Sequence, residues 1–424
     1  MSYLKQAPLP LFDTLAQMEN PRIAKPIDTT SYFNNPPAYV AADYNHACEF
    51  LYSYRGSSAT FNAYRREIER LLHWCWFVQN KSVKDLTRNE FESFVEFCQS
   101  PPEAWIGLKN VARFSRAADD ERQPNPEWRP FVVTVTKTAH RNGESPSRKN
   151  YTLSQKALQA IFSIASSFYN FLIQEDYAAL NPVSQIRQKS KFIRKQQGKP
   201  VIRRLSELQW AYVINTAEAA ASKDPATHER TLFIMNALYG MYLRISELTA
   251  TPRWQPTMGD FHKDNDGHWW FTTVGKGNKQ RDIAVSDAML SALKRYRLSL
   301  GLTSLPTPGE TTPLIQKARG KGPITSTRHI RLIVQDCFDM AIDQLKRDNH
   351  VEEAEQMSAA TVHWLRHTGI SDDVKFRPRE HVRDDAGHGS SAITDKYIDI
   401  ELRQRHASGR HKLINPDGSE QEES

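Results

Sequence analysis

The sequence predicts a mainly α-helical protein with one small β-sheet, an α+β chain divided into two domains. Apolar residues recur at three- and four-residue steps through several segments after Asp43, as in helices with one buried stripe. One stretch, HWWFTTVGKGNKQRDIAV, alternates β-formers around a glycine-bearing centre and reads as a β-hairpin. Between the two patterned regions runs RQKSKFIRKQQGKPVIRR, basic and without an acid, in a chain of 424 residues that is too long for a single core.

In chain order, residues 1–40 carry Pro8, Pro10, Pro21, Pro26, Pro36 and Pro37 with little periodicity, so an extended N-terminal arm is expected. Residues 41–190 are expected to form a helical domain. In it, ATFNAYRREIERLLHWCWFVQ places Tyr64, Ile68, Leu71, Leu72, Cys75 and Trp76 on one stripe, with Arg65, Arg66, Glu69 and Arg70 on other faces. Thr87 and Glu90 form a capping box at the head of the next helix. The span 101–146 reads as loop inserted between helices. YTLSQKALQAIFSIASSFYNFLIQEDY predicts a long amphipathic helix that ends near Asn181-Pro182, where proline cannot continue it. The basic linker is placed at 191–204. Ser206 and Gln209 then cap the first helix of a second domain, 205–412, in which Trp270–Val274 and Arg281–Val285 are the hairpin strands. An acidic, disordered tail is expected at 413–424.

Composition narrows the function classes. Hydrophobic residues make up 39% and charged residues 25%, and no apolar run approaches the roughly 20 residues that span a bilayer. The N-terminus lacks the apolar core and cleavage pattern of a secretory signal, so a cytoplasmic protein without a membrane role is expected. Cys48, Cys75, Cys98 and Cys337 show no paired CxxC spacing and read as buried thiols rather than zinc ligands or disulfides. A net charge of +7 favours a polyanionic partner. Its distribution says more: Arg187, Lys189, Lys191, Arg194, Lys195, Lys199, Arg203 and Arg204 make an electrostatic strap for phosphates, with a solvated linker as the plainer reading.

Six residues carry the chemistry. Arg244 lies in LRISEL, Lys276 in VGKGNKQR, His363 and Arg366 in HWLRHT, and His388 and Tyr397 lie nine positions apart in AGHGSSAITDKY. Breaking and rejoining a DNA phosphodiester without hydrolysis needs a nucleophile whose product keeps the bond energy, cations on the nonbridging oxygens and an acid for the departing 5′-oxygen. A tyrosine phenol serves as the first, through a phosphotyrosyl ester. Arginine forks suit the second because they bind phosphate oxygens bidentately and stay charged. A lysine in a flexible hairpin suits the third. Neither metal nor cofactor is called for.

These boxes resemble those of the tyrosine recombinase (phage integrase) family, written G-L-R-x-S-E-L, GKGxKxR, H-x-L-R-H-T and L-G-H with a tyrosine nine residues on. The resemblance runs by motif from Leu205 to about Arg405, and more loosely over 43–195 as the helical core-binding domain of such enzymes. It implies a two-domain DNA clamp, with Arg244 and Arg366 as the phosphate clamp, Tyr397 as nucleophile and Lys276 as general acid. It implies His363 as proton acceptor or hydrogen-bond partner and His388 as a phosphate contact. The partner implied is double-stranded DNA carrying specific recombination sites, bound by a homotetramer on two sites in the nucleoid, with room for accessory proteins. Three departures stand out: in GMYLRISEL the glycine lies further from Arg244, HTGIS replaces HTFAT, and AGH replaces LGH.

Each residue has a plainer rival. Arg244 and Glu247 could pair on a helix surface. His363 and His367 have a zinc-helix spacing, but Trp364 stands where a metalloprotease needs glutamate. Lys279 could be the acid instead of Lys276. Trp269, Trp270 and Trp364 read as core, and Asp384 and Asp385 as solvated acids. Two other functions fit the same boxes: a type IB topoisomerase-like relaxing enzyme, and a DNA-binding relative that does not cleave.

Overall fold

The computed structural model describes residues 6–18, 36–116, 122–186, 192, 203–275, 277–320 and 322–388. Lys276, Tyr397, the strap residues Arg187, Lys189, Lys191, Arg194, Lys195 and Lys199, and the tail 413–424 lie outside the described residues. The chain divides into two compact units that meet in sequence at Lys199 and Pro200.

The first unit is built on helices α1 (Leu15–Met18), α2 (Ala38–Ser53), α3 (Ser58–Trp74), α4 (Arg88–Gln99), α5 (Lys137–Arg141) and α6 (Gln155–Gln174). Thr87 and Glu90 cap α4 reciprocally, as their spacing predicts. Between α4 and α5 lie four short strands, β1 (Ile106–Gly107), β2 (Phe114–Arg116), β3 (Arg122–Pro124) and β4 (Phe131–Val132), with β1 parallel to β4 and β2 antiparallel to β3. This span is therefore not plain inserted loop: Trp105, Ile106, Phe131 and Val133 are buried in the unit's core. The start of the chain also differs from an extended arm, because Leu11 and Phe12 are buried in the same core.

These two segments cover the second face of α3. The expected apolar stripe is there, but Arg65, Glu67, Glu69, Arg70 and His73 are buried too. Buried charges need partners, and the arginines and glutamates have them, whereas burial keeps His73 neutral. Glu69 accepts from the Leu11 amide at 2.7 Å and pairs with Arg113; Arg70 bonds Glu67 at 2.9 Å and donates twice to the Pro130 carbonyl. Asp13 pairs with Arg122 across 2.7 Å. Helix α6 stops at Glu175, earlier than Asn181-Pro182, because Asp176 takes the left-handed conformation (φ 54°).

The second unit opens on α7 (Glu207–Lys223), capped by the predicted Ser206–Gln209 box, and α8 (Pro225–Gly240), which starts on Asp224 and Pro225. An antiparallel sheet in the order β5 (Phe261–Lys263), β6 (Trp269–Val274), β7 (Gln280–Ala284) follows. Val274 pairs with Gln280, and the turn between them uses Gly277 (φ 78°) and Asn278 (φ 58°), so the GKGN segment supplies the positive φ that its glycines suggest. Then come α9 (Asp287–Ser299), α10 (Thr327–Arg347), α11 (Val351–Met357), α12 (Val362–Asp373) and α13 (Arg379–Ala386). Helices α8 and α10 bring the largest shares of the core, joined by Phe271 and Ile283 from the sheet. Trp269 and Trp364 pack partly buried against it, and Trp270 donates to Asp264 at 2.8 Å. Cys75, Cys98 and Cys337 are buried free thiols, and Cys48 is half-buried.

Candidate active site

Arg244 follows the C-terminal end of α8 through Met241, Tyr242 and Leu243, all buried, and caps a single 3-10 turn, Ile245–Glu247. The turn aims Glu247 inward, and Glu247 is 1% exposed. Its carboxylate accepts from the Arg244 amide at 2.8 Å and from Arg244 Nη1 at 2.9 Å. Arg281 of β7 grips the same carboxylate with both terminal nitrogens, each at 2.9 Å. The Arg244–Glu247 pair is thus no surface helix pair; it is the base of a buried three-residue bridge. Burial opposes ionisation of Glu247, but hydrogen bonds and charge from Arg281, with Arg244 behind it, outweigh that and hold its carboxyl below the ordinary range.

Arg366, on α12, is 6% exposed. It donates through Nη1 to the Tyr242 carbonyl and through Nη2 to the Ala386 carbonyl, at the end of α13. Arg244 Nη2 donates to the next carbonyl, that of Gly387, at 3.1 Å. Arg281 Nε donates to the Asp385 carbonyl at 2.8 Å. Three guanidiniums from three distant segments therefore meet the last carbonyls of one short helix, which satisfies acceptors a helix end leaves open.

Helix α13 stops on Gly387 in the left-handed conformation (φ 62°), where a Cβ would come within 2.9 Å of Arg281 Cδ. Both constraints call for glycine. His388 follows, its amide bonded to the Arg383 carbonyl at 3.1 Å. Burial, then the charges of Arg366 and Arg244, push the His388 imidazole down to about 4. His367 is likewise down to about 4, through burial and then His363, Arg366 and Arg203. Burial and then Arg331, Arg366 and Arg244 lower His363. All three are neutral at pH 7. Asp384 is exposed, as a solvated acid should be, but Asp385 is not: it is buried and pairs with Arg377 at 2.6 Å.

Of the six predicted residues, Arg244, Arg366, His363 and His388 share this electrostatic cluster. A Cβ on Gly275, the residue before Lys276, would lie 2.9 Å from Arg281 Nη1 and 3.2 Å from Arg244 Nη1, so the hairpin turn starts beside the arginines. Of the strap, Arg203 is exposed and acts on His367, and Arg204 is half-buried near Asp372. Sequence reasoning missed Arg281, although its period-two relation to buried Ile283 on β7 marks it as inward-facing. It also gave Glu247 no part in the site and left His367 only a zinc reading. Guanidiniums beside neutral imidazoles repel a metal cation and suit the oxygens of a phosphate.

One backbone feature bears on the departures in the boxes. Tyr242 stands two residues before Arg244, where the family's box has glycine, and takes φ 49°. A left-handed non-glycine residue costs on the order of 1–3 kcal/mol. A Cβ on Gly369, the first altered residue of HTGIS, would overlap the Tyr239 carbonyl and come within 3.2 Å of the Tyr242 ring. The two departures are matched: glycine on α12 leaves room for the tyrosine on the loop.

No family model matches the chain. Among curated proteins it is 23% identical over 164 residues to the tyrosine recombinase XerC of Chlorobaculum parvum, covering 37% of this chain and 46% of that protein. It is 30% identical over 152 residues to the tyrosine recombinase XerD of Rickettsia prowazekii, covering 34% of this chain and 43% of that protein. The chain thus matches less than half the length of these relatives. Its fold is that of the XerH site-specific recombinase, seen in a post-cleavage complex with a palindromic difH substrate, with a TM-score of 0.54 and 13% identity over 94% of this chain and 93% of that one. In these partial matches and in its fold the chain is similar to tyrosine recombinases.

Proposed function

We propose that this protein is a site-specific DNA recombinase that cuts and rejoins strands through a covalent 3′-phosphotyrosyl intermediate, in integration, excision or transposition of a mobile element. The observation that carries this reading is the meeting of Arg244, Arg281 and Arg366 with neutral His388 at the end of α13. A cluster of this charge and shape binds the nonbridging oxygens of a phosphodiester and stabilises the charge that grows on them as the phosphorus becomes five-coordinate.

In this reading Tyr397 attacks the phosphorus and Arg244 and Arg366 clamp the nonbridging oxygens. His388, neutral before DNA arrives, donates a hydrogen bond to one of them. His363 accepts the phenolic proton or holds a hydrogen bond that aligns it. Lys276, the residue after Gly275 in sequence, protonates the departing 5′-oxygen. A free 5′-hydroxyl from a partner strand then reverses the steps, so the strands are rejoined without ATP. No step calls on a metal.

Residues 41–190 serve as the core-binding domain, 205–412 as the catalytic domain, and the strap between Arg187 and Arg204 lies along DNA phosphates. The partner is double-stranded DNA with specific sites, engaged by a homotetramer on two sites in the cytoplasmic nucleoid. Among the described residues no helix is long and apolar enough to cross a membrane. The test is a nicked site DNA that traps the cleaved strand on the protein. A denaturation-resistant adduct is expected from wild type and none from Tyr397→Phe; an adduct from the Phe variant removes Tyr397 as nucleophile. Relaxation of a supercoiled circle without joining two sites would move the protein to the topoisomerase class.

A further inference from the structure

The acceptor of Arg366 is an unusual one. The Tyr242 carbonyl belongs to a residue held in the left-handed conformation, and its ring is buried against Ile370, Val382 and Ala386, which lie on α12 and α13. The phenol reaches the end of α12, where its hydroxyl donates to Asp373 Oδ2. Arg377, between α12 and α13, donates to the Tyr242 hydroxyl at 3.0 Å and to Asp373 at 3.3 Å. Its other terminal nitrogen meets Asp385 Oδ2 at 2.6 Å. Asp385 also accepts from Arg281 through its carbonyl, and it precedes the two carbonyls that receive Arg366 and Arg244.

A continuous chain of bonds therefore runs from the carbonyl that orients Arg366, through Tyr242, Asp373, Arg377 and Asp385, to the helix end that orients all three site arginines. We infer that Tyr242 and Arg377 are positioning residues: they latch the Arg244 loop to α12 and α13 so that Arg366 and Arg244 are held in fixed geometry for a phosphate. This inference rests on the function proposed above. Neither residue touches the reacting atoms. The latch also gives the left-handed tyrosine a purpose that glycine would lack, since glycine would remove the strain but also the hydroxyl that ties Asp373 and Arg377 to the Arg244 loop.

The test uses the full-length protein and the nicked site DNA. Tyr242→Phe keeps the ring in its pocket and removes one hydroxyl, so the melting temperature is expected to stay within a few degrees and DNA affinity within twofold. The single-turnover rate of adduct formation is expected to fall by roughly ten- to a hundredfold, the scale of a small misplacement of a catalytic group. Arg377→Gln should fall likewise, and the double variant should be little slower than either single one, because both break the same chain. Wild-type rates in stable Tyr242→Phe protein overturn the inference. So does a loss of DNA affinity and melting temperature large enough to account for the slower rate, which marks the chain as structural. The ¹⁵N resonance of Arg366 Nε in DNA-free protein gives a readout independent of cleavage. If wild type forms no adduct, the proposed reaction fails and that resonance decides alone: a shift on Tyr242→Phe keeps the latch, and an unmoved resonance overturns it.

Discussion

Both units bury a group of arginines, and the two groups are built differently. On the second face of α3, Arg70, Arg113 and Arg122 each meet a carboxylate, those of Glu67, Glu69 and Asp13. At the end of α13, Arg244 and Arg281 share the single carboxylate of Glu247, and Arg366 donates to main-chain carbonyls. A carboxylate cancels a guanidinium's charge; a carbonyl orients it and leaves the charge in place. The depression of His388, His367 and His363 by these arginines is the imprint of the remaining positive field. The first cluster ties the arm and the 101–133 span to a helix, whereas the second has charge to offer an anion.

The sharpest way to break this contrast is to remove one arginine from each cluster. Arg366→Ala is expected to slow adduct formation by about a hundredfold or more, as when one preorganised donor is taken from an oxyanion site. Arg70→Ala leaves buried Glu67 with Arg66 as its arginine partner and strips the Pro130 carbonyl of both its arginine donors, and should destabilise the first unit by about 1–3 kcal/mol while folded molecules cleave normally. Thermal melting and single-turnover cleavage separate the two effects. A cleavage defect in folded Arg70→Ala protein would give the first cluster a share in the chemistry and undo the contrast.

A smaller effect is expected at Glu247. Glu247→Gln keeps the volume and one acceptor but loosens both arginines, so cleavage should drop by about tenfold, in the range seen when a supporting partner of a functional ligand is lost. Arg281→Lys should behave similarly, because lysine cannot make the two-pronged bond to Glu247 while also reaching the Asp385 carbonyl. Unchanged rates in both would show that the carbonyls of α13 alone suffice to hold Arg244.

The site was legible in the sequence where it depends on residue type and order. Arg244, His363, Arg366 and His388 were readable because phosphate chemistry restricts the choice to a few side chains. The hairpin, the α4 cap and the α7 cap were readable because their signals are local. The bridge through Glu247 and Arg281 was not, since it joins residues 34 apart and no local pattern says which arginine a buried glutamate will hold. The burial of the charged face of α3 was not legible for the same reason. Its cover comes from residues 6–18 and 101–133, whose proline-rich or irregular composition gives no sign of where they pack. The early stop of α6 turns on one backbone dihedral at Asp176, a residue that tolerates the left-handed region and so marks it only weakly.

The gentlest test of the contrast is titration. His73 in the first unit is also pushed down to about 4, there by burial above all. In the unfolded chain each imidazole titrates near 6.5. Between about 4 and 6.5 the unfolded state therefore binds more protons than the folded one, so stability is complete above 6.5 and is lost as pH falls toward 4. Both units should share this loss in the absence of DNA. Site DNA should divide them, because a phosphate beside His388 and His367 favours their charged forms and offsets the arginines, while His73 has no such neighbour in the proposed complex. NMR titration of the histidine ring protons, with and without a site duplex, is expected to show His388 and His367 rising with DNA and His73 staying near 4. If His73 rises as far as His388, or if His388 does not move, the α13 cluster is not where the phosphate binds, and the difference between the two arginine groups is one of packing alone.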